Sequence, residues 1–174
     1  MKRFLGIITA FTFMLLYSSC YTLKNESIPA DMKTVNIQFF ENNAPLVVNN
    51  LSQTFTEALK ERIRTQTRLS LVRGEADATM SGSITGYSIA PVSIEATANN
   101  VAPIADANRL TITIRVKFSF DAAKTPADKK LSFEESFTKF ANYRGDIGPQ
   151  EQALIQQITK QLIDDIFNKA FSNW

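Results

Sequence analysis

Residues 109–120 read RLTITIRVKFSF and contain the clearest structural signal in the chain. Six apolar residues alternate with six polar ones without a break: Leu110, Ile112, Ile114, Val116, Phe118 and Phe120 against Arg109, Thr111, Thr113, Arg115, Lys117 and Ser119. Because successive side chains of a β-strand point to opposite faces, this pattern predicts a strand with one buried and one polar face. A half-solvated sheet is typical of antiparallel neighbours, so we expect antiparallel pairing here.

Three further segments predict strands of the same sheet. Residues 34–40 and 78–85 also alternate apolar or small residues with polar ones, which is the period of a half-buried strand. Residues 131–140 are aromatic-rich but less regular, and the change of phase between Phe137 and Phe140 predicts a β-bulge. With residues 109–120, these segments predict four strands.

Two segments have helical periodicity. Apolar residues recur every four positions from Leu51 to Ile63, after an asparagine pair that can supply the N-cap, and Gln53 would complete a capping box with Asn50. From Glu151 onward a broad apolar stripe runs nearly to Trp174. The stripe comprises Leu154, Ile155, Ile158, Leu162, Ile163, Ile166, Phe167, Ala170 and Phe171. Each helix therefore presents one apolar face to a sheet.

The order of elements is β-α-β-β-β-α, and it predicts an α+β fold. The first strand, the first helix and the second strand can close in parallel through a right-handed crossover, while the later strands pair antiparallel. We expect a two-layer sandwich with two helices on one face of a mixed four-stranded sheet. Residues 121–130 contain Pro126 and several charges and predict a loop.

The amino terminus has the pattern of an export signal. Lys2 and Arg3 precede an apolar run of 14 residues, and small residues stand directly before the single cysteine, Cys20. This resembles a bacterial lipobox, in which the cysteine is acylated and becomes the new terminus; a transmembrane helix and an ordinary secretory signal remain alternatives. We expect a signal peptide at 1–19, an acylated terminus and tether at 20–33, and one domain at 34–174. Tyr21 follows the cysteine where inner-membrane retention signals have Asp, which indicates an outer-membrane address.

Composition excludes several function classes. After the leader the chain has 17 basic and 17 acidic residues, so it lacks the basic excess of nucleic-acid-binding proteins. It has no histidine and its one thiol is in the leader junction, which removes the usual nucleophile, general base and soft metal ligands. The adjacent pairs Glu134-Glu135 and Asp164-Asp165 cannot converge on one site. We therefore expect no catalytic residue, no metal and no cofactor.

The segment from Tyr87 to Asn108 is 22 residues long and mostly apolar. Either both flanking strands extend through it, with a turn near Asn99-Asn100, or it forms a contact surface for a partner or lipid; the two are compatible. The candidate partner-binding residues are Tyr87, Ile89, Pro91, Val92, Ile94, Val101 and Ile104.

Basic residues supply a second candidate site, for the headgroup of an anionic glycolipid. Arg62 and Arg64 lie on the first helix, and Arg109, Arg115 and Lys117 lie on the polar face of the central strand. A solvated helix face is the simpler explanation for the first pair.

Several of these pieces, in this order and spacing, resemble the LptE family of lipopolysaccharide-assembly lipoproteins in its Bacteroidetes-like form. They are the lipobox, Leu51-Ser52-Gln53, Gly82-Ser83-Ile84 with Tyr87, Asn108-Arg109-Leu110-Thr111-Ile112, and Asp165-Ile166-Phe167 with Asn173-Trp174. The resemblance implies two helices on one face of a four-stranded sheet. It also implies a plug in the lumen of the outer-membrane barrel LptD that supports barrel assembly and helps pass lipopolysaccharide to the outer leaflet.

The alternative is a periplasm-facing lipoprotein that binds a different soluble or cell-wall partner. Direct contact with lipopolysaccharide is open in either case.

Overall fold

The computed structural model describes residues 28–46, 48, 50–92, 107–123 and 125–171. The elements in chain order are β1 (Thr34–Ile37), β2 (Glu41–Asn42), α1 (Leu51–Gln66), β3 (Ser70–Leu71), β4 (Ala78–Pro91), β5 (Ala107–Phe120), α2 (Pro126–Lys129), β6 (Phe133–Arg144) and α3 (Glu151–Phe171).

One mixed sheet contains all the described strands, in the order β3-β1-β4-β5-β6, with β2 also pairing to β4. The expected α+β class and mixed sheet are confirmed, but the sheet has six strands and not four. The additional strands β2 and β3 have two residues each, which is too short for alternation to reveal them. Strand β1 pairs in parallel with β3 and with β4, and β2 pairs in parallel with β4. Strands β4, β5 and β6 form an antiparallel meander.

The predicted bulge in β6 is wrong. All twelve residues of β6 pair with β5 in unbroken register, and Phe140 lies opposite Thr111 on the polar face. The register shift is instead in β4, between Ile84 and Gly86. Because the extra residue changes the phase of the strand, Ile84 and Tyr87 both face the core.

The core lies between the sheet and the two long helices, which pack on the same face and against each other. Phe118 of β5 is fully buried and meets Phe171 of α3 edge to face, with ring centroids 5.5 Å apart. Phe55 of α1 makes a similar contact with Phe40, with ring centroids 5.0 Å apart. Burial of each such side chain contributes about 1.5 to 3 kcal/mol to folding.

Gly82 lets Phe40 reach the sheet. A Cβ atom at position 82 would lie 2.6 Å from Cε1 of Phe40 and 2.1 Å from the backbone oxygen of Arg115. No side chain fits there without moving the backbone, so this position of β4 needs glycine.

The helix starts differ from the sequence expectation. Asn50 precedes α1 in the left-handed conformation, with φ 68°, and its side chain makes no capping hydrogen bond, so the predicted capping box is absent. A reciprocal box forms at the one-turn helix α2 instead, where Thr125 N donates to Asp128 Oδ2 at 3.0 Å and Asp128 N donates to Thr125 Oγ1 at 3.1 Å. Residues 126–129 are thus helical within the segment predicted as a loop.

Asp77 joins the start of the domain to the start of β4. Its Oδ2 accepts hydrogen bonds from Lys33 N at 2.9 Å, Thr34 N at 2.8 Å and Thr34 Oγ1 at 2.9 Å. These hydrogen bonds lower the pKa of Asp77, with the Lys33 backbone N–H as the largest cause. Asp77 therefore holds residues 33 and 34, where β1 begins, against the start of β4.

Candidate functional site

Within the described part of the chain, the long helices cover one face of the sheet and leave the other uncovered. We call the polar side of β4, β5 and β6 the open face. It presents hydroxyl groups, four basic side chains, one carboxylate, one amide and one aromatic ring. Its residues include Ser81, Ser83, Ser88, Arg109, Thr111, Thr113, Arg115, Lys117, Glu134, Ser136, Thr138, Phe140, Asn142 and Arg144.

Two of the predicted basic residues are held in defined positions on the open face. The Arg109 guanidinium lies over the Phe140 ring, 3.9 Å from its centroid, and Nε donates to Asn142 Oδ1 at 2.9 Å. Arg115 donates to Glu134 across the β5–β6 ladder at 2.9 Å. Neighbouring residues on adjacent strands thus orient both guanidinium groups.

Lys117 lies next to Arg115 on the same face and is exposed. It has no ion-pair partner among the described residues. Arg144, opposite Ala107, is a fourth cation on this face that our sequence analysis missed. Arg144 is two residues from Asn142 and four from Phe140, so a strand pattern would have placed all three side chains on the same face. Four cations and one carboxylate on β4–β6 make the open face net positive.

The structure separates the two helical arginines from the open face, because α1 lies on the other side of the sheet. Arg62 is partly buried between α1 and α3, where it binds Asp164 at 3.0 Å and stacks 5.0 Å from the Phe167 ring. Arg64 is exposed and pairs with Glu61 within the same helix. The five predicted headgroup residues therefore form two groups and not one site.

The candidate hairpin is only partly described. Strands β4 and β5 extend to Pro91 and back from Ala107, and Val92 N donates to Ala107 O at 2.7 Å, so the extended-hairpin expectation holds for this base. Ile89 is 41% exposed, Pro91 is exposed and Val92 is half-buried. Ile94, Val101, Ile104 and the turn expected at Asn99-Asn100 lie outside the described residues, as does Cys20.

Tyr87 differs from the other candidate partner-binding residues because it belongs to the core. It is 4% exposed, and its hydroxyl donates to Glu151 Oε1 at 2.7 Å. Burial, followed by this hydrogen bond to a carboxylate, raises the pKa of Tyr87 well above that of a free tyrosine. Tyr87 fixes the start of α3 against β4 and offers no surface to a partner.

The carboxylate pairs singled out in the sequence are all engaged in ion pairs. Glu134 binds Arg115 and Glu135 binds Lys169 on opposite faces of β6, while Asp164 and Asp165 bind Arg62 and Lys139. Among the described residues, no group of three potential metal ligands is close enough to hold an ion.

The described helices are all too short or too polar to cross a membrane.

The chain is similar to several solved structures at low sequence identity. The hypothetical protein CT253 from Chlamydia trachomatis aligns with a TM-score of 0.53 and 10% identity, covering 82% of this chain and 99% of that one. Uncharacterized lipoprotein B from Nitrosomonas europaea aligns with a TM-score of 0.48 and 15% identity over 88% and 91% of the two chains. The rare lipoprotein B from Shewanella oneidensis aligns with a TM-score of 0.45 and 8% identity over 79% and 90%. No curated protein matches the sequence.

The family model described as LptE, lipopolysaccharide-assembly, matches residues 32–170. The match begins at the buried Met32 just before β1 and ends at Ala170 in the last turn of α3, so it spans the whole described sandwich. This family consists of non-enzymatic, membrane-associated lipoproteins that work with LptD in lipopolysaccharide transport. The chain therefore belongs to the LptE family of lipopolysaccharide-assembly lipoproteins.

Proposed function

We propose that this protein is the plug and assembly partner of an LptD-type outer-membrane β-barrel, and that it helps pass lipopolysaccharide to the outer leaflet. The family match over residues 32–170 carries the proposal, since the family works with LptD. A plug must be rigid and must present a defined surface to the barrel. The antiparallel meander of β4–β6, with helices packed on one side, is consistent with that requirement.

Attachment is proposed to use Cys20, acylated after removal of residues 1–19. The family's lipoproteins are membrane-associated, and an acyl chain contributes about 0.8 kcal/mol per buried CH₂ group. The domain then needs no membrane-binding surface of its own. We place the protein at the outer membrane, facing the periplasm or the barrel lumen.

The hairpin is the proposed contact with the barrel. The base of the hairpin places Ile89 and Pro91 in solvent at the end of the two longest strands. Exposed apolar residues at this end of the three-stranded meander of β4, β5 and β6 offer a surface that a partner can bury. Ile94, Val101 and Ile104 belong to the same proposal by their sequence.

Lipopolysaccharide contact is proposed for the open face and not for the helices. Arg109, Arg115, Lys117 and Arg144 lie on one uncovered surface among hydroxyl groups, whereas Arg62 is occupied by Asp164 and Phe167. Arginine and lysine are suited to phosphate groups, and the hydroxyl side chains can hydrogen-bond to sugars.

Recovery of the barrel with the tagged protein tests the partner directly. The affinity-tagged full-length protein is extracted in mild detergent from the native cell, and a large β-barrel is expected in the eluate. Ile89→Asp is expected to reduce that recovery at least tenfold, because the carboxylate would be buried in the contact.

Phe39→Asp is the matched control. Phe39 is 58% exposed and follows Gln38, whose backbone N donates to Met80 O. It therefore lies about 30 Å along β4 from Ile89. It should leave barrel recovery unchanged. If the wild-type protein brings down no barrel but a soluble or cell-wall component, the alternative function replaces this one.

Photo-crosslinking separates glycolipid contact from a purely structural role. A photoreactive residue at Thr113, in the middle of the open face, is expected to label lipopolysaccharide in cells. One at Gln157, which is exposed on α3, should not. If the residue at Thr113 labels only protein, the proposed lipid contact is wrong, and the plug role is unaffected.

A further inference from the structure

Helices α1 and α3 enclose an open groove on the side of the helix layer that faces away from the sheet. We call it the α1–α3 groove. Its volume is about 320 Å³, whereas one water molecule occupies about 30 Å³. Its lining is mostly apolar, with Ala58 of α1 and Ile163 of α3 among the lining residues. The groove is thus large enough for an occupant bigger than solvent.

Two buried polar groups in the groove have no hydrogen-bond partner in the described part of the chain. They are Oγ1 of Thr159, a residue that is only 4% exposed, and Nε of Arg62. Arg62 cannot simply turn away, because its Nη2 binds Asp164 and its guanidinium stacks on Phe167. Buried polar groups without partners destabilise a fold. Both groups therefore point to an occupant that completes their hydrogen bonds.

The charges around the groove indicate that this occupant is not ionised where it binds. Glu61 and Asp164 balance Arg62 and Lys160, so the lining carries no net charge. Arg62 Nε can only donate a hydrogen bond, and the Thr159 hydroxyl can donate or accept one. Carbonyl oxygens suit both groups. Carbonyl groups repeated along an apolar groove are the chemistry of an extended peptide.

The described chain begins close to one end of the groove. Nη2 of Arg68, two residues beyond the end of α1, donates to the Ile28 carbonyl at 3.4 Å. Ile28 is half-buried and packs against the core, so its position is defined. Residues 20–27 therefore leave the domain beside the carboxyl-terminal end of α1, where Thr65 lines the groove.

The length of this segment is sufficient to enter the groove. Leu23 is five residues before Ile28, and an extended chain spans about 3.3 Å per residue, so the reach is about 17 Å. Arg62 is six residues before Arg68, which corresponds to about 9 Å along a helix, and a helix is about 10 Å wide. Leu23 can thus reach the level of Arg62 even when the chain passes around the end of α1.

The sequence of the segment has the alternation of an extended chain with one contact face. Tyr21, Leu23 and Asn25 alternate with Thr22, Lys24 and Glu26. Because side chains of an extended chain point alternately to opposite sides, Leu23 can face the apolar lining while both charged residues remain in solvent.

A segment of the same chain has an advantage over a separate peptide. A short linker gives its attached segment an effective concentration in the millimolar range, so even weak binding fills the groove.

We propose that residues 21–27 of this chain bind in the α1–α3 groove in extended form, with Leu23 on its apolar lining and backbone carbonyl groups accepting hydrogen bonds from Arg62 and Thr159. Cys20 is then held on the helix side of the domain, away from the open face. The proposal does not depend on the identity of the barrel partner.

Photo-crosslinking of the full-length protein tests the position of the segment. A photoreactive residue at Leu23 is expected to label peptides of both α1 and α3, because the groove lies between these helices. Lys24 is the matched control, since its side chain would point away from the groove, and a photoreactive residue there should label the same peptides several-fold less. The labelled peptides are identified by mass after proteolysis.

A double-mutant cycle tests the predicted hydrogen bond. Thr159→Val removes the hydroxyl and keeps the branched shape, and in the native background it should lower the midpoint of thermal unfolding by about 2 to 4 °C. Leu23→Asp places a charge on the apolar lining and should release the segment. In the Leu23→Asp background, Thr159→Val should not lower the midpoint, because the hydroxyl then has no partner to lose. Thr22→Asp, on the other side of the segment, is the matched control and should have no effect.

Any of three results would overturn the proposal. Leu23 and Lys24 positions label the same peptides equally, the Leu23 position labels another surface or another protein, or Thr159→Val shifts the midpoint equally in both backgrounds. The last result is expected if only water occupies the groove. Barrel recovery with Leu23→Asp should equal that of the wild type, so a failure of this proposal is distinguishable from a failure of the proposed function.

Discussion

The two faces of the sheet in this protein are built from the same strands but differ in burial and in the contacts that their side chains make. On the helix-covered face of β5, Ile114 and Phe118 are completely buried in the core, and Phe118 packs against rings of both β6 and α3. On the open face of the same strand, Thr113 and Lys117 have cross-strand neighbours and no covering helix among the described residues. The covered face determines stability, so the open face can vary and bind at little cost to the fold.

The sharpest test compares adjacent residues of β5. Phe118→Ala should lower the free energy of unfolding by about 3 to 5 kcal/mol, since the ring is buried against Phe133 and Phe171 and leaves a cavity. Lys117→Ala should change it by less than about 0.5 kcal/mol. Chemical denaturation of both variants measures the two values. Similar values would mean that the two faces do not differ as described.

A substitution that adds one carbon atom tests the packing of the covered face. Gly82→Ala places a Cβ atom against Phe40 and the Arg115 carbonyl, so it should cost about 1 to 3 kcal/mol. Gly148→Ala, where the nearest atom is a side-chain oxygen at 3.4 Å, is the control and should be nearly neutral. A neutral Gly82→Ala in the same unfolding assay would show that Phe40 does not pack over β4.

Asp77 tests a polar contact at the end of the sheet. Asp77→Ala removes hydrogen bonds from Lys33 and Thr34 and should cost about 1 to 2 kcal/mol at neutral pH. The folded-state pKa of Asp77 is lowered below the unfolded value of about 3.9. Its contribution is therefore fully present above the unfolded pKa and lost as the pH falls through the folded one.

Unfolding measured at pH 7 and again at pH 3 checks that sign. The difference between wild type and Asp77→Ala should shrink at the lower pH. A difference that is constant with pH would mean that Asp77 acts through its shape and not through its charge.

The smallest effect on stability is expected on the open face. Arg115→Ala breaks an exposed ion pair to Glu134, which contributes at most about 1 kcal/mol, and less at high salt. The same variant should weaken the labelling of lipopolysaccharide from Thr113 several-fold, because the remaining Glu134 repels phosphate. Unchanged labelling, with stability also unchanged, would remove Arg115 from the proposed lipid contact.

Much of the fold follows from local patterns. The alternation of residues 109–120 predicts both the strand and its faces, and the four-residue spacing of α1 predicts the side that packs. The patterns fail where elements are short or where a single backbone residue changes the phase. Strands β2 and β3, the one-turn helix α2 and the bulge before Gly86 are such cases.

The candidate site was less predictable, because function depends on neighbours that are distant in sequence. Arg62 and Arg109 are equivalent as sequence letters, yet one lies between two helices and the other on an open sheet. Tyr87 stands in a segment rich in contact candidates but is buried, because β4 changes phase just before it. Arg144 joins the open face only through pairing with β5.

The sequence by itself determined the class of the fold, the two faces of the central strand and the family, because periodicity and motif order are properties of short stretches of chain. Only the tertiary structure decided which strands are neighbours, which arginines share a surface and that β6 is an edge. Those properties depend on contacts between residues that are distant in sequence, such as Lys33 with Asp77 and Tyr87 of β4 with Glu151 of α3, and no local pattern encodes the partner.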